Sequence, residues 1–199
     1  MFKKGSFATV VLLGAVAALP AFSQERGGGS EASVQVLGSF VKTTTDNGVQ
    51  QGATNSGGVL ASYRYFFNKN HGVEVNYGYS LNSQTFGLTS GVLGVKADQH
   101  EVTAAYVYRR PLRYLTPFVE AGVGGLVFNP SDVPGASTQA RAAFVYGGGA
   151  DFNVTKRVFV RAEYRGLVYN SPTFDLAPVL ATDRVTHRAE PSIGFGYRF

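Results

Sequence analysis

The chain has no cysteine and no tryptophan, and a single methionine among its 199 residues. Without Cys there can be no disulfide framework, no thiolate metal or redox centre, and no N-terminal lipidated cysteine. Hydrophobic residues make up 44% of the chain, yet mean hydropathy is −0.01. Past the N-terminus no run approaches the roughly 20 apolar residues that a transmembrane helix requires. Cationic clustering is also missing. Lys3 and Lys4 supply two of the +5 formal charges, and the remaining Lys and Arg are scattered. A nucleic-acid partner is therefore not expected, because the electrostatic footprint is absent. No EF-hand, HExxH, P-loop or nucleophile-elbow pattern occurs, so neither a metal nor another cofactor is expected. What is abundant is Gly (25), Phe (15) and Tyr (11), a mixture that favours strands and tight turns over helices.

Residues 1–23 have the three parts of an export signal. Lys3 and Lys4 form a basic start, Ala8 to Leu19 is apolar, and Ala21 and Ser23 place small residues before a cut at Gln24. Cleavage there would lower the formal charge to about +3. Residues 24–32, with Gly27-Gly28-Gly29-Ser30, read as a flexible lead-in.

From Val34 onward the period is two. Val59, Ala61, Tyr63, Tyr65 and Phe67 share one face, and Leu60, Ser62, Arg64 and Phe66 the other. The same alternation recurs through Val73–Tyr79, Glu101–Arg109, Phe118–Val127, Val158–Arg165 and Ser192–Phe199. Weaker copies near 33–43 and 141–153 bring the expected count to eight strands. Connections alternate in length: 68–72, 110–116 and 153–157 are short, whereas 44–56, 81–98, 129–140 and 170–184 are long and polar. One strand face is almost purely apolar and the other bears the ionised residues. A soluble barrel would place its charges outside, so the pattern makes sense with lipid outside and a polar interior. Tyr65, Phe67, Tyr106, Tyr108, Phe152, Tyr197 and Phe199 end the apolar faces toward the short turns, as an interfacial girdle would. An open sheet edge cannot persist in hydrocarbon, so the first and last strands must pair. The expected fold over 33–199 is all-β: an eight-stranded antiparallel up-and-down transmembrane β-barrel.

The terminal segment Ser192-Ile193-Gly194-Phe195-Gly196-Tyr197-Arg198-Phe199 resembles the C-terminal signal of bacterial outer-membrane barrels. By that resemblance Ser192, Gly194, Tyr197 and Phe199 would be read by the barrel assembly machinery. Residues 33–199 as a whole resemble the OmpA transmembrane-domain and OmpX type. The resemblance implies residence in the bacterial outer membrane, with lipid and lipopolysaccharide as surroundings. It departs from full-length OmpA after the last strand, so tethering to the cell wall is not expected to carry over.

Eight strands leave an interior only wide enough for side chains. The inward face supplies Arg64, Arg109, Arg161, Arg165, Arg188 and Arg198 against Glu74, Glu101, Glu120, Asp151, Glu163 and Glu190. Equal numbers of each sign suit an internally compensated core, since an unpaired buried charge is costly. A gated ion path through exchanging pairs is the alternative use of the same residues. His100 and His187 sit near the long-loop ends on the outward face, without a Ser two residues away, and His71 lies in a short turn. Catalysis, as in lipid A-modifying barrels, is therefore the minor expectation. The leading one is a non-enzymatic protein that stiffens the membrane and displays four long loops for adhesion or binding.

Overall fold

The computed structural model describes residues 29–46, 49–88, 91–131, 137–172, 174 and 185–199. The expected export signal, and the lead-in as far as residue 28, lie outside the described residues. All regular structure among the described residues is β. The strands are β1 (Ser30–Val41), β2 (Thr44–Asp46), β3 (Val49–Ala53), β4 (Ser56–Phe66) and β5 (His71–Leu88). They continue with β6 (Gly91–Arg109), β7 (Leu115–Pro130), β8 (Gln139–Asn153), β9 (Val158–Asn170) and β10 (Val185–Arg198).

Eight of the ten close a ring. β1 pairs with both β4 and β10, and the antiparallel order runs on through β9, β8, β7, β6 and β5 back to β4. Closure depends on β1 lying between Ala61 and Phe195 at Val34, and between Val59 and Ile193 at Val36. Every barrel strand thus has two hydrogen-bonded neighbours, as hydrocarbon demands. Alternation sets the faces: Val34, Val59, Val75, Val102, Val123 and Phe195 point outward and are 48–70% exposed.

Three sequence-based boundaries shift. The first strand begins at Ser30, so the last three residues of the expected lead-in belong to the barrel wall. Their order follows from Glu31, whose buried carboxylate is held by arginines of three other strands. The segment 81–98, expected as a loop, is strand over 81–88 and 91–98, and β5 and β6 stay paired from His71↔Tyr108 to Leu88↔Gly91. The expected loop 44–56 contains the β2–β3 hairpin, and β3 pairs with the outer part of β5 from Gln50↔Gly87 to Ala53↔Gln84. A tilted strand crosses the hydrocarbon in about 9–11 residues. β5 and β6 are 18 and 19 residues long, so nearly half of each stands beyond the apolar band, edged by β3 and β2.

Candidate functional site

The barrel has two distinct ends and a filled interior. At the short-turn end, Glu31 accepts from Arg109, lies 2.8 Å from Arg198 and 3.4 Å from Arg161. Arg109 stacks on Phe66 with its guanidinium carbon 3.3 Å from the ring centre, and Arg198 lies 4.5 Å over Phe159. Further in, Arg161 makes a bidentate pair with Asp151, at 2.7 and 3.0 Å. Arg64 lies 2.7 Å from Glu74, 3.4 Å from Glu120 and 3.5 Å from Glu163. The ladder ends at mid-barrel, where Arg165 and Arg188 both donate to Glu101 and both reach Glu190.

Arg161 also lies 3.5 Å from Glu74 and Arg165 3.5 Å from Glu120, so all twelve charges read from the sequence are in one connected network. Glu31 is a thirteenth member that sequence reasoning missed. Its signal was present, since it is in phase with Ser33, Gln35 and Leu37 on the buried face, but the preceding glycines pointed to a flexible segment. Gln35 and Ser192 extend the network as neutral links: Gln35 donates to Glu163 at 2.9 Å and accepts from Ser192 at 3.0 Å.

Glu74, Glu120 and Glu163 bring one oxygen each within 4.8 Å of one another, a spacing that could suit a metal ion. The Arg64 terminal nitrogen already lies within 3.5 Å of all three. A bound cation would have to displace a buried guanidinium, so the cluster is an ion-pair node.

Toward the long-hairpin end the interior changes character. Phe86, Val95, Leu126, Phe128, Val145, Leu167, Tyr169 and Phe174 form one buried apolar cluster. Phe174, in a left-handed conformation with φ 55°, sets its ring edge-on to Phe86 and Phe128 at 6.5 Å. Gln51 of β3 donates 2.6 Å to the Pro172 carbonyl, tying the β9–β10 connection to the projecting hairpin. The polar interior expected from the sequence thus holds for the ion-paired half, where Phe66, Val107 and Phe118 form only a small apolar cluster, and gives way to the larger apolar cluster beyond it. Inward Leu126, Phe128, Leu167 and Tyr169 continue the same alternation and could have signalled the change.

The other candidate residues resolve separately. His100 bonds to Tyr77 at 2.8 Å and His187 to Tyr146 at 2.9 Å on the outward face, while His71 contacts Tyr106. These are rim contacts between amphipathic rings, with no Ser nucleophile joining them among the described residues. Tyr197 and Phe199 are outward neighbours in an edge-on pair at 5.2 Å. Gly194 faces inward, where a Cβ would fall 2.0 Å from the Val34 carbonyl oxygen.

This closed ring, with its apolar exterior and ion-paired interior, has counterparts among known proteins. The model of the outer membrane protein beta-barrel domain family matches residues 8–199. The chain belongs to that family. Its location is accordingly the bacterial outer membrane. Among solved structures, Neisserial surface protein A matches with a TM-score of 0.65 and 15% identity, over 87% of this chain and 100% of that one. OprG of Pseudomonas aeruginosa matches at 0.62 and 15%, over 88% and 97% respectively. Ail of Yersinia pestis, solved with the heparin analogue sucrose octasulfate, matches at 0.54 and 23%, over 87% and 100%. At these identities the likeness is one of fold. No curated protein matches the chain in sequence.

Proposed function

We propose that the protein is a non-enzymatic surface-display barrel, with its long hairpins outside the cell and its short turns in the periplasm. The observation behind this reading is the projecting sheet of β2, β3 and the outer halves of β5 and β6, set on a wall whose interior is filled. Filling favours a scaffold over a conduit, because a porin needs a wider ring. Against the lipid A-modifying alternative stand the outward histidines, whose partners are tyrosines.

The chemistry of the displayed end also limits the ligand. Lys42, Lys96, Arg141 and Arg184 are set among Asp46, Asp98, Asp132, Asp175 and Asp183 in the sequence. This mixed charge composition lacks the cationic excess that a polysulfated ligand of the kind seen with Ail would demand. A neutral or weakly charged surface ligand suits it better.

The test combines orientation and binding. Cysteines replacing Thr54 and Thr138 should react with an impermeant maleimide on intact cells, and those replacing Leu112 and Val154 only after lysis. Replacing Thr44–Ala53 by a short turn should leave a folded, heat-modifiable barrel while adhesion of the bacteria to their surface falls severalfold. Reversed labelling, or unchanged adhesion, would overturn the display reading.

A further inference from the structure

The short-turn end differs in charge from the displayed end. Its three turns carry Lys69, Arg110, Arg113, Lys156 and Arg157, all exposed, and no acidic residue. None of the five is within ion-pair distance of a carboxylate among the described residues. Arg113 lies over the Tyr114 ring at 5.0 Å and Arg157 donates to the Tyr197 hydroxyl at 3.3 Å. Cations beside an aromatic girdle lie at headgroup depth, where each is attracted by anionic phosphate.

Next to two of these turns the outer wall is indented. A groove of about 930 Å³ crosses the strands of the outer wall, from Phe195 and Tyr197 of β10 over Ala32 of β1 and Ala61 of β4 to Val75 of β5 and Val102 of β6. The register explains it. Ala32 is opposite Tyr197 on one side and Tyr63 on the other, so a methyl group sits between two large rings. One row further along, Ala61 lies beside Val34 and Phe195 follows on the far strand. The groove is lined mainly by apolar and aromatic side chains of the outer wall, which are properties of a seat for an acyl chain. Arg157 marks its headgroup end, through Tyr197 and through the adjoining residue Val158, which also lines it. Lys69 stands exposed in the turn that follows Tyr65, itself a lining residue on the opposite flank.

We propose that this groove binds one anionic phospholipid, its acyl chain lying across β1 and β4 and its phosphate held by Arg157 and Lys156, with Lys69 adding positive charge on the opposite flank. The identity of the leaflet as periplasmic rests on the orientation proposed above, but the site itself does not. Lipid capture in solution therefore succeeds or fails independently of the labelling pattern.

The experiment folds the protein into micelles doped with equal phosphatidylglycerol and phosphatidylcholine, then counts retained lipids by native mass spectrometry. Wild type should keep one phosphatidylglycerol about tenfold more often than one phosphatidylcholine. The triple variant K69Q/K156Q/R157Q should keep a lipid but lose the preference, to about onefold. Ala61→Phe, which fills the floor without altering charge, should abolish the retained lipid of either kind. The remote pair R110Q/R113Q should stay within twofold of wild type. Absence of a one-to-one lipid complex, or equal capture of both lipids by wild type, would overturn the proposal. So would an equal loss in R110Q/R113Q and the triple variant, because a diffuse rim attraction would then explain the preference without a groove.

Discussion

Arg161 joins more of the interior than any one ion pair does. Its guanidinium reaches Asp151, Glu31, Glu74 and the Ser33 hydroxyl, from a side chain that is 1% exposed. Removing one partner of a buried network leaves the others charged and undersolvated, which costs about 3–5 kcal/mol. Arg161→Met should therefore lower the urea midpoint of the folded barrel in micelles substantially. Adding Asp151→Leu should restore part of the loss, because the most closely paired carboxylate goes with its partner. A double variant less stable than the single one would show that Asp151 is held mainly by Arg198, 3.8 Å away. The side of the wall each charge occupies was legible in the sequence, because the period of two fixes it. The pairing was not. Arg161 and Glu31 meet across 130 residues, and only closure of the ring decides which rungs face each other.

At the level of elements, the transmembrane strands were more legible than those that project. Within the apolar band one face must be hydrophobic, so Val59 to Phe67 or Val102 to Tyr108 declare themselves. Beyond the band neither face is so constrained, and an antiparallel strand can be polar on both sides. Leu81-Asn82-Ser83-Gln84-Thr85 reads as loop for that reason, although Asn82 and Gln84 are buried and paired across the sheet. The last strand, β10, poses a separate question, because its expected assembly residues fall into two structural groups. Ser192 and Gly194 serve the inside: one bonds Gln35, the other lets β1 approach where a Cβ would meet backbone. Tyr197 and Phe199 are outward, 38% and 49% exposed, and close no internal gap. Gly194→Val should therefore impair refolding into detergent as well as yield in cells. Deleting Phe199 should leave refolding nearly normal while reducing outer-membrane abundance severalfold, as recognition by the assembly machinery would require. The readout is heat-modifiable protein in purified membranes against folded fraction in vitro. Normal cellular abundance without Phe199 would remove the recognition role.

For the molecule as a whole, the interior is closed twice, by ion pairs and by an apolar cluster. In the short-turn half, ions would have to separate pairs such as Arg64–Glu74 and Arg165–Glu101, and each parted buried pair is worth several kcal/mol. In the long-hairpin half, Leu126, Phe128, Val145, Leu167 and Phe174 are fully buried, and an apolar constriction of this kind excludes water even when briefly widened. Conduction needs both layers open at once, and the layers meet where Leu126 lies opposite Glu101 and Leu167 opposite Arg188. Wild-type protein in planar bilayers should accordingly show no discrete conductance steps. Removing the apolar layer alone, with Phe86, Phe128 and Phe174 changed to Ala, should remain silent because the ion pairs below are intact. Removing charge pairs alone, with Arg165→Ser and Glu101→Ser, should also remain silent beneath the apolar layer. Only the combined variant should leak. Steps in the wild type would restore the gated-path alternative for the interior charges, and equal leakage from either single-layer variant would show that one layer, not two, seals the barrel.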